Sequence, residues 1–273
     1  MSQPAPHTFA RNKRAVLPDV AKFLVLLGML GWLVLRGTER LGYNWQWYRI
    51  PIYLFRVEDG SVIPGLLLQG LWLTLQITAA SFVLAFLFGL TTALFRLSNS
   101  VIARALARFY LETIRNTPLL IQLFFAYFVL APILGINGFW ASVLALSLFE
   151  GAYASEILRA GISSIDDGQW EASASLGGGS WFTYREVVLP QALPRVIPPL
   201  ASQAVSLVKD SALVSTVAVY DLTMQGQAIV SDTFLTFEVW FTVAAMYLSL
   251  TLLLSGLIAL VEKRLKGDWN HSV

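Results

Sequence analysis

Cysteine is absent from the 273 residues, which removes disulfides, thiolate metal ligation and cysteine nucleophiles together. Histidine is nearly absent: His7 and His271 lie in the terminal tails, so no histidine-based catalytic or metal centre can stand in the body of the chain. Charge is scarce as well, at 13% Asp, Glu, Lys and Arg where a soluble domain carries about a quarter. No phosphate-binding loop is present. Gly177-Gly178-Gly179 is not followed by a lysine-serine or lysine-threonine pair, so it reads as a helix break. What the chain does have is apolar bulk, 56% of its residues, with a mean hydropathy of +0.64. Such a composition belongs to a polytopic membrane protein. A net charge of +2 says little, and no nucleic-acid partner is expected.

Residues 1–14 form a polar tail containing Pro4, Pro6, Arg11, Lys13 and Arg14. The apolar run that follows suffices for one span over 15–36 if Lys22 snorkels and Asp19 stays near the interface. A cleaved signal peptide competes with that reading, but Arg36, Glu39 and Arg40 stand where a small-residue cleavage site would be, which favours an uncleaved helix. Residues 37–64 hold Tyr43, Trp45, Trp47, Tyr48 and Tyr53, an interfacial belt and loop. Further spans are expected at 65–95, 117–134, 139–157, 192–219 and 237–261, the third broken at Pro118 and the fifth reached through Pro194, Pro198 and Pro199. Between the second and third, Ala103 to Ile114 reads as a surface helix among Arg96, Arg104, Arg108 and Arg115. With six spans both termini share one side, and thirteen Lys and Arg fall on that side against four on the other, which makes it the cytoplasm.

The organising stretch is polar: Asp166 to Pro190, DDGQWEASASLGGGSWFTYREVVLP, between two long apolar regions. Asp166 and Asp167 suit a helix start, Trp170 to Leu176 favours a short helix, and the three glycines end it. Ser180 is placed to cap a second helix, with Pro190 closing it. An amphipathic loop lying on the bilayer is the plainer account of this punctuation.

The spacing of Glu171, Ala172, Ser173, Gly177, Val187, Leu189 and Pro190 resembles the EAA motif of the permeases of ABC importers, with Ser173 where that motif usually has its second alanine. Gly70–Thr78 (GLWLTLQIT), Ile114–Gln122 (IRNTPLLIQ), Glu150–Ile165 (EGAYASEILRAGISSI), Gly168–Glu171 (GQWE) and Lys209–Leu213 (KDSAL) resemble the polar amino-acid branch of that family, over roughly 62–265. The resemblance implies an all-α polytopic membrane protein, a five-helix type I ABC-importer permease core plus one extra N-terminal transmembrane helix, with cytoplasmic termini, in the bacterial inner membrane. It implies a cytoplasmic tail at 1–14, the N-terminal helix at 15–36, a periplasmic loop at 37–64, the permease domain at 65–262 with a cytoplasmic coupling loop at 160–191, and a second tail at 263–273. It implies a partner ATPase docked on Glu171, Ala172, Ser173, Leu176, Gly177, Trp181, Leu189 and Pro190. Further implied are a second permease subunit, identical or paralogous, two ATP-binding subunits that hold ATP and Mg, and a periplasmic substrate-binding protein. No cofactor is expected in this chain, and no enzymatic activity of its own.

Ionisable groups inside spans are costly and point to a pathway or a buried pair. Glu150 in the fourth span and Lys209 and Asp210 in the fifth are the candidates, offering both signs of charge to a zwitterionic amino acid; the alternative is that Glu150 and Lys209 pair as structural glue. Glu156 and Arg159 read as a local surface pair. The competing functions are an ion- or proton-coupled carrier acting alone, which would show inverted repeats, and a permease for another small solute. A membrane enzyme is disfavoured by the missing histidine, cysteine and carboxylate-rich motifs.

Overall fold

A computed structural model describes residues 16–40 and 42–269; the expected tail at 1–14 and the last four residues lie outside them. The chain divides into two compact units, 1–46 and 47–273. In the first, α1 (Val16–Arg40) is a single helix in which Arg36 stacks over the Trp32 ring at 4.8 Å. Its window Val20–Gly37 is long and apolar enough to cross a membrane.

The second unit opens with a 3-10 turn (Trp47–Arg49), α2 (Pro51–Leu54) and a two-stranded antiparallel hairpin, β1 (Phe55–Glu58) and β2 (Ser61–Pro64). The hairpin replaces the plain loop expected at 37–64. Asp59 and Gly60 both take positive φ, 50° and 76°, the geometry that an Asp-Gly pair gives a two-residue turn.

Then come α3 (Leu66–Leu97), α4 (Val101–Arg115), α5 (Leu119–Phe125), a π turn (Ala126–Leu130), α6 (Ala131–Leu134) and α7 (Gly138–Ser163). The polar excursion follows as α8 (Asp167–Ser175) and α9 (Ser180–Phe182). A second π turn (Thr183–Val188) leads into α10 (Leu189–Asp210) and a 3-10 segment (Ser211–Val217), before α11 (Leu222–Thr233) and α12 (Thr236–Trp269). Among the described residues, α1, α3, α7 and α12 pass as membrane spans by length and composition, and α4 with α5–α6 passes as a pair bent by 104°. The expected fifth span is α10 with its 3-10 extension. Its prolines and polar residues keep it outside that set, although 22 residues of helix reach about 33 Å.

Pro190 does not end a helix, contrary to the sequence expectation. The π turn at 183–188 sits immediately before it, as the π turn at 126–130 sits before Pro132. A proline lacks the N–H and crowds the carbonyl one turn back. A wider turn ahead of it makes room, so the chain stays helical through both sites.

In lipid, helices associate by close packing and hydrogen bonds. The central seam, α3 against α7, is built for that. A Cβ on Gly89 would stand 2.8 Å from the Ala154 Cβ, and one on Gly151 would stand 2.9 Å from the Phe88 Cβ. Ser147 donates to the carbonyls of Ser81, at 3.3 Å, and Val143, at 2.5 Å. Ile77, Leu123, Val143, Leu146, Leu207 and Val214 then join α3, α5, α7, α10 and the 3-10 segment in one core.

α11 is clamped between α3 and α12 by a buried polar cluster. Asp221, fully buried, caps α11 by accepting from the Met224 N–H at 2.8 Å, and its other oxygen accepts from the Tyr247 hydroxyl at 3.4 Å. The Leu222 N–H donates to Thr74 Oγ1 at 3.1 Å. Burial pushes the Asp221 carboxyl from its ordinary 3.8 up to about 6. Between those two values the folded chain holds a proton that the unfolded chain has released, so this group's contribution to stability falls as pH rises through the window. The wild type is therefore expected to lose at most about 3 kcal/mol between pH 4 and pH 7 through this group, and Asp221→Asn to lose none of it. Denaturation midpoints of the two in detergent check this; identical pH dependence would refute it.

Candidate functional site

The polar excursion is folded tightly against its own helices. Asp166 caps α8 by accepting from the Gly168 N–H at 2.8 Å, as expected. α8 ends at Gly177, whose φ of 77° turns the chain so that the Gly178 N–H reaches the Ser173 carbonyl at 2.9 Å. The next helix is capped by Gly179, not Ser180, and no side chain bonds its first turn.

Two contacts then cross from α8 to the π turn. Ser173 and Thr183, both buried, share a hydroxyl hydrogen bond of 2.7 Å. Trp170 and Tyr184 meet edge to face with centroids 5.1 Å apart. The two rings pack on a cluster of Ile162, Ile165, Val188 and Ala192 with Leu97, which ties the loop to α3, α7 and α10. Arg195 adds a bond from α10 to the Ser164 carbonyl at 2.6 Å.

The outward face is different in kind. Leu176 is 88% exposed, Trp181 77%, Phe182 52% and Leu189 41%, with Glu171, Ala172, Gly177 and Pro190 exposed beside them in the chain. Of the eight residues expected to dock a partner, seven are on the surface. Ser173 is turned inward, so its contribution is the brace to Thr183. Trp170, Val188 and Thr183 belong to the same brace.

The three candidate pathway residues do not form one group. Glu150 is fully buried in α7; one carboxylate oxygen accepts from the Gln203 amide and the other has no hydrogen-bond partner among the described residues. Asp210 lies close enough to interact with it electrostatically. Glu150 borders a crevice with room for about 10 Å³, lined also by Gln203, Phe82 and Leu207, less than a bound amino acid needs. Lys209 opens instead into a separate cavity of about 410 Å³ between α10 and α12, with Ser202, Ser206 and Ser255. The expected alternative, a Glu150–Lys209 pair, is not formed. Gln203 is the neighbour that sequence reading missed; it lies 53 positions from Glu150, too far for any local pattern.

Glu156 is likewise more than a local partner of Arg159. It accepts from Arg96 at 2.5 Å, Arg159 at 3.2 Å and Arg115 at 3.3 Å. The expected pair is one edge of a junction between α3, α4 and α7.

The family model for "Binding-protein-dependent transport system inner membrane component" matches residues 85–267. The chain belongs to that family. It is therefore a helical, multi-pass component of an inner-membrane ABC transport system, a permease subunit and not an enzyme. It is 38% identical over 204 residues to the glutamine transport system permease protein GlnP of Escherichia coli (strain K12), covering 74% of this chain and 93% of that protein. It is 35% identical over 216 residues to the arginine transport system permease protein ArtQ of Bacillus subtilis (strain 168), covering 78% and 99%. In structure it is similar to an amino acid ABC transporter solved with histidines, with TM-score 0.68, 39% identity and coverage of 73% of this chain and 94% of that one. The fold alone is shared with the inward-facing MetNI methionine ABC transporter, with TM-score 0.65, 23% identity and coverage of 73% and 95%.

The Ser173–Thr183 bond crosses the glycine corner of the loop. Ser173→Ala removes it while leaving Thr183 its bond to the Gly179 carbonyl, at 3.2 Å. A net loss of about 1 kcal/mol is expected, read as roughly fivefold faster proteolytic cleavage within 176–180. Unchanged cleavage would show that the brace rests on the aromatic pair alone.

Proposed function

We propose that this permease is the membrane half of an ATP-driven importer for polar amino acids, and that its 160–191 loop is the lever through which a separate ATPase moves it. One observation carries the reading: the loop is braced inward on three helices while large apolar side chains are presented outward. Left in water, Leu176, Trp181 and Phe182 would form a large apolar patch, and a partner groove would cover them. Glu171 would meet a basic group of that groove, with Ala172, Gly177, Leu189 and Pro190 completing the contact surface and Ser173 holding it in shape.

Partner ATPase and substrate-binding subunits are in keeping with the family. The finer assembly is two permease subunits, identical or paralogous, two ATPase subunits holding ATP and Mg on the cytoplasmic side, and a periplasmic protein delivering substrate. The excess of arginine and lysine on the side of the termini supports a cytoplasmic loop at 160–191. The 1–14 and 263–273 tails then lie inside, the 15–36 helix precedes the 65–262 permease domain, and the 37–64 segment is periplasmic. Closure of the ATPase dimer would draw two such loops together and turn the α3–α7 bundles as rigid bodies, opening the central path to alternate sides.

The names of the relatives, glutamine and arginine permeases, support a polar amino acid as substrate. On the path, Glu150 and Asp210 form an acidic pair suited to an ammonium group. Opening of the crevice must come with the conformational cycle. Lys209, on the other wall, serves this pathway only if α10 turns.

Glu171→Lys tests the lever. The variant should lose co-purifying ATPase about tenfold or more, with the thermal midpoint of the permease unchanged because the side chain touches none of the brace. Retention of the ATPase at wild-type stoichiometry would remove Glu171 from the interface.

A further inference from the structure

A second feature of the fold has no part in the lever. α3, α4 and α7 enclose a basin of about 610 Å³ whose wall carries five arginines, Arg96, Arg104, Arg108, Arg115 and Arg159, against the two carboxylates of Glu112 and Glu156. Three positive charges are left over. Glu156 is shared among Arg96, Arg115 and Arg159, and Glu112 is held by the Asn116 amide at 3.0 Å. Arg104 donates only to the Ser98 carbonyl, at 2.9 Å, and neither Arg104 nor Arg108 forms an ion pair among the described residues. Arg159 Nε is buried without a hydrogen-bond partner. Like charges gathered in one concavity repel each other unless an anion sits among them.

The remaining donors are guanidinium forks, whose planar, paired N–H groups match the oxygens of a phosphate. The position of the basin says more. On α4, Arg104, Arg108 and Arg115 follow helical spacing on one stripe, while Ile102, Leu106 and Phe109 are exposed on the next, at 74%, 56% and 72%. An apolar stripe beside a basic one is how a helix sits at the membrane boundary, where phosphate headgroups are concentrated. Leu97 borders the basin and also packs in the cluster that carries Trp170, so the basin adjoins the inner side of the loop.

We infer that this basin is a phosphate-binding site, filled by the headgroup of an anionic phospholipid or by free phosphate, with Arg104 and Arg108 as its principal donors. It joins two spans at the point from which the loop departs, so an occupied basin holds α4 against α3 and α7.

The test uses the full chain with Arg104→Gln/Arg108→Gln, and with an Arg56→Gln/Arg185→Gln control that removes the same charge from exposed positions elsewhere. Native mass spectrometry measures retained phosphatidylglycerol against phosphatidylcholine, and a thermal shift titration with inorganic phosphate measures the free anion. The basin variant should bind the anionic probe about 25-fold more weakly, about fivefold for each arginine, with the control at wild-type level. Loss in the phosphatidylglycerol arm assigns the site to lipid, and loss in the phosphate arm alone assigns it to the free ion. Equal binding by wild type and basin variant in both arms, or equal loss in the control, overturns the site. Should the double variant not fold, Arg108→Gln alone decides, since that side chain forms no ion pair to lose; it should show the fivefold effect, restored in part by Arg108→Lys.

Discussion

The hydrogen bond between Ser173 and Thr183, with the Trp170–Tyr184 contact beside it, is the constraint on which the rest depends. A lever transmits force only if its own bending is stiffer than the load, and a glycine-rich turn of three residues is by itself soft. These contacts close the turn from inside. Two buried hydroxyls satisfy each other, and an edge-to-face aromatic pair adds about 0.5–1.5 kcal/mol beyond its burial. The Gly177-Gly178-Gly179 corner is thereby turned from a hinge into an elbow. Gly178 leaves no room for more: a Cβ there would lie 2.6 Å from Ser173 Oγ.

Stiffness has to continue into the bundle. It does so through Ile162, Val188 and Ala192 to the ends of α7 and α10, and through α7 to the α3 seam. That seam depends on small residues. Gly89, Ala154, Gly151 and the Ser81–Ser147 hydrogen bond let two helices approach until backbone meets side chain. At the far end, the Asp221 cluster fixes α11 to α3 and α12, so the whole path from loop to α11 is held by short-range contacts. Within that frame α10 is the exception. It carries three interior prolines, starts from a π turn and gives way to a 3-10 segment at Asp210, beside Glu150. Irregular backbone in a membrane segment is tolerated where protein or a cavity surrounds it, and here it coincides with the acidic pair.

Much of this was legible in the sequence, for identifiable reasons. The positions of α1, α3, α7 and α12 follow from apolar length, the start of α8 from Asp166 and its end from Gly177, because each is a local requirement of the chain. Local reasoning misled at Pro190, where a proline reads as a stop and a π turn absorbs it. The hairpin is signalled locally only by Asp59-Gly60, within a stretch whose Tyr and Trp residues also suit an interfacial belt. Ser180 resembled a cap, yet the chain starts its helix one residue earlier, where glycine needs no side-chain bond. Contacts between residues distant in sequence were out of reach: Glu150 with Gln203, Glu156 with Arg96 and Arg115, and Asp221 with Tyr247 have no periodicity connecting them.

The absence of cysteine allows the account to be tested at its centre, since two introduced thiols label cleanly. With spin labels at Ser175 on the loop and Thr91 on α3, both exposed, pulsed dipolar spectroscopy reads the distance from lever to bundle in the assembled transporter. A rigid elbow predicts the same intrachain distance without nucleotide and with ATP trapped, while the distance between the Ser175 labels of the two proposed permease subunits shortens. An intrachain distance that changes as much as the one between subunits would mean that the loop flexes on its own, and the lever would be contradicted.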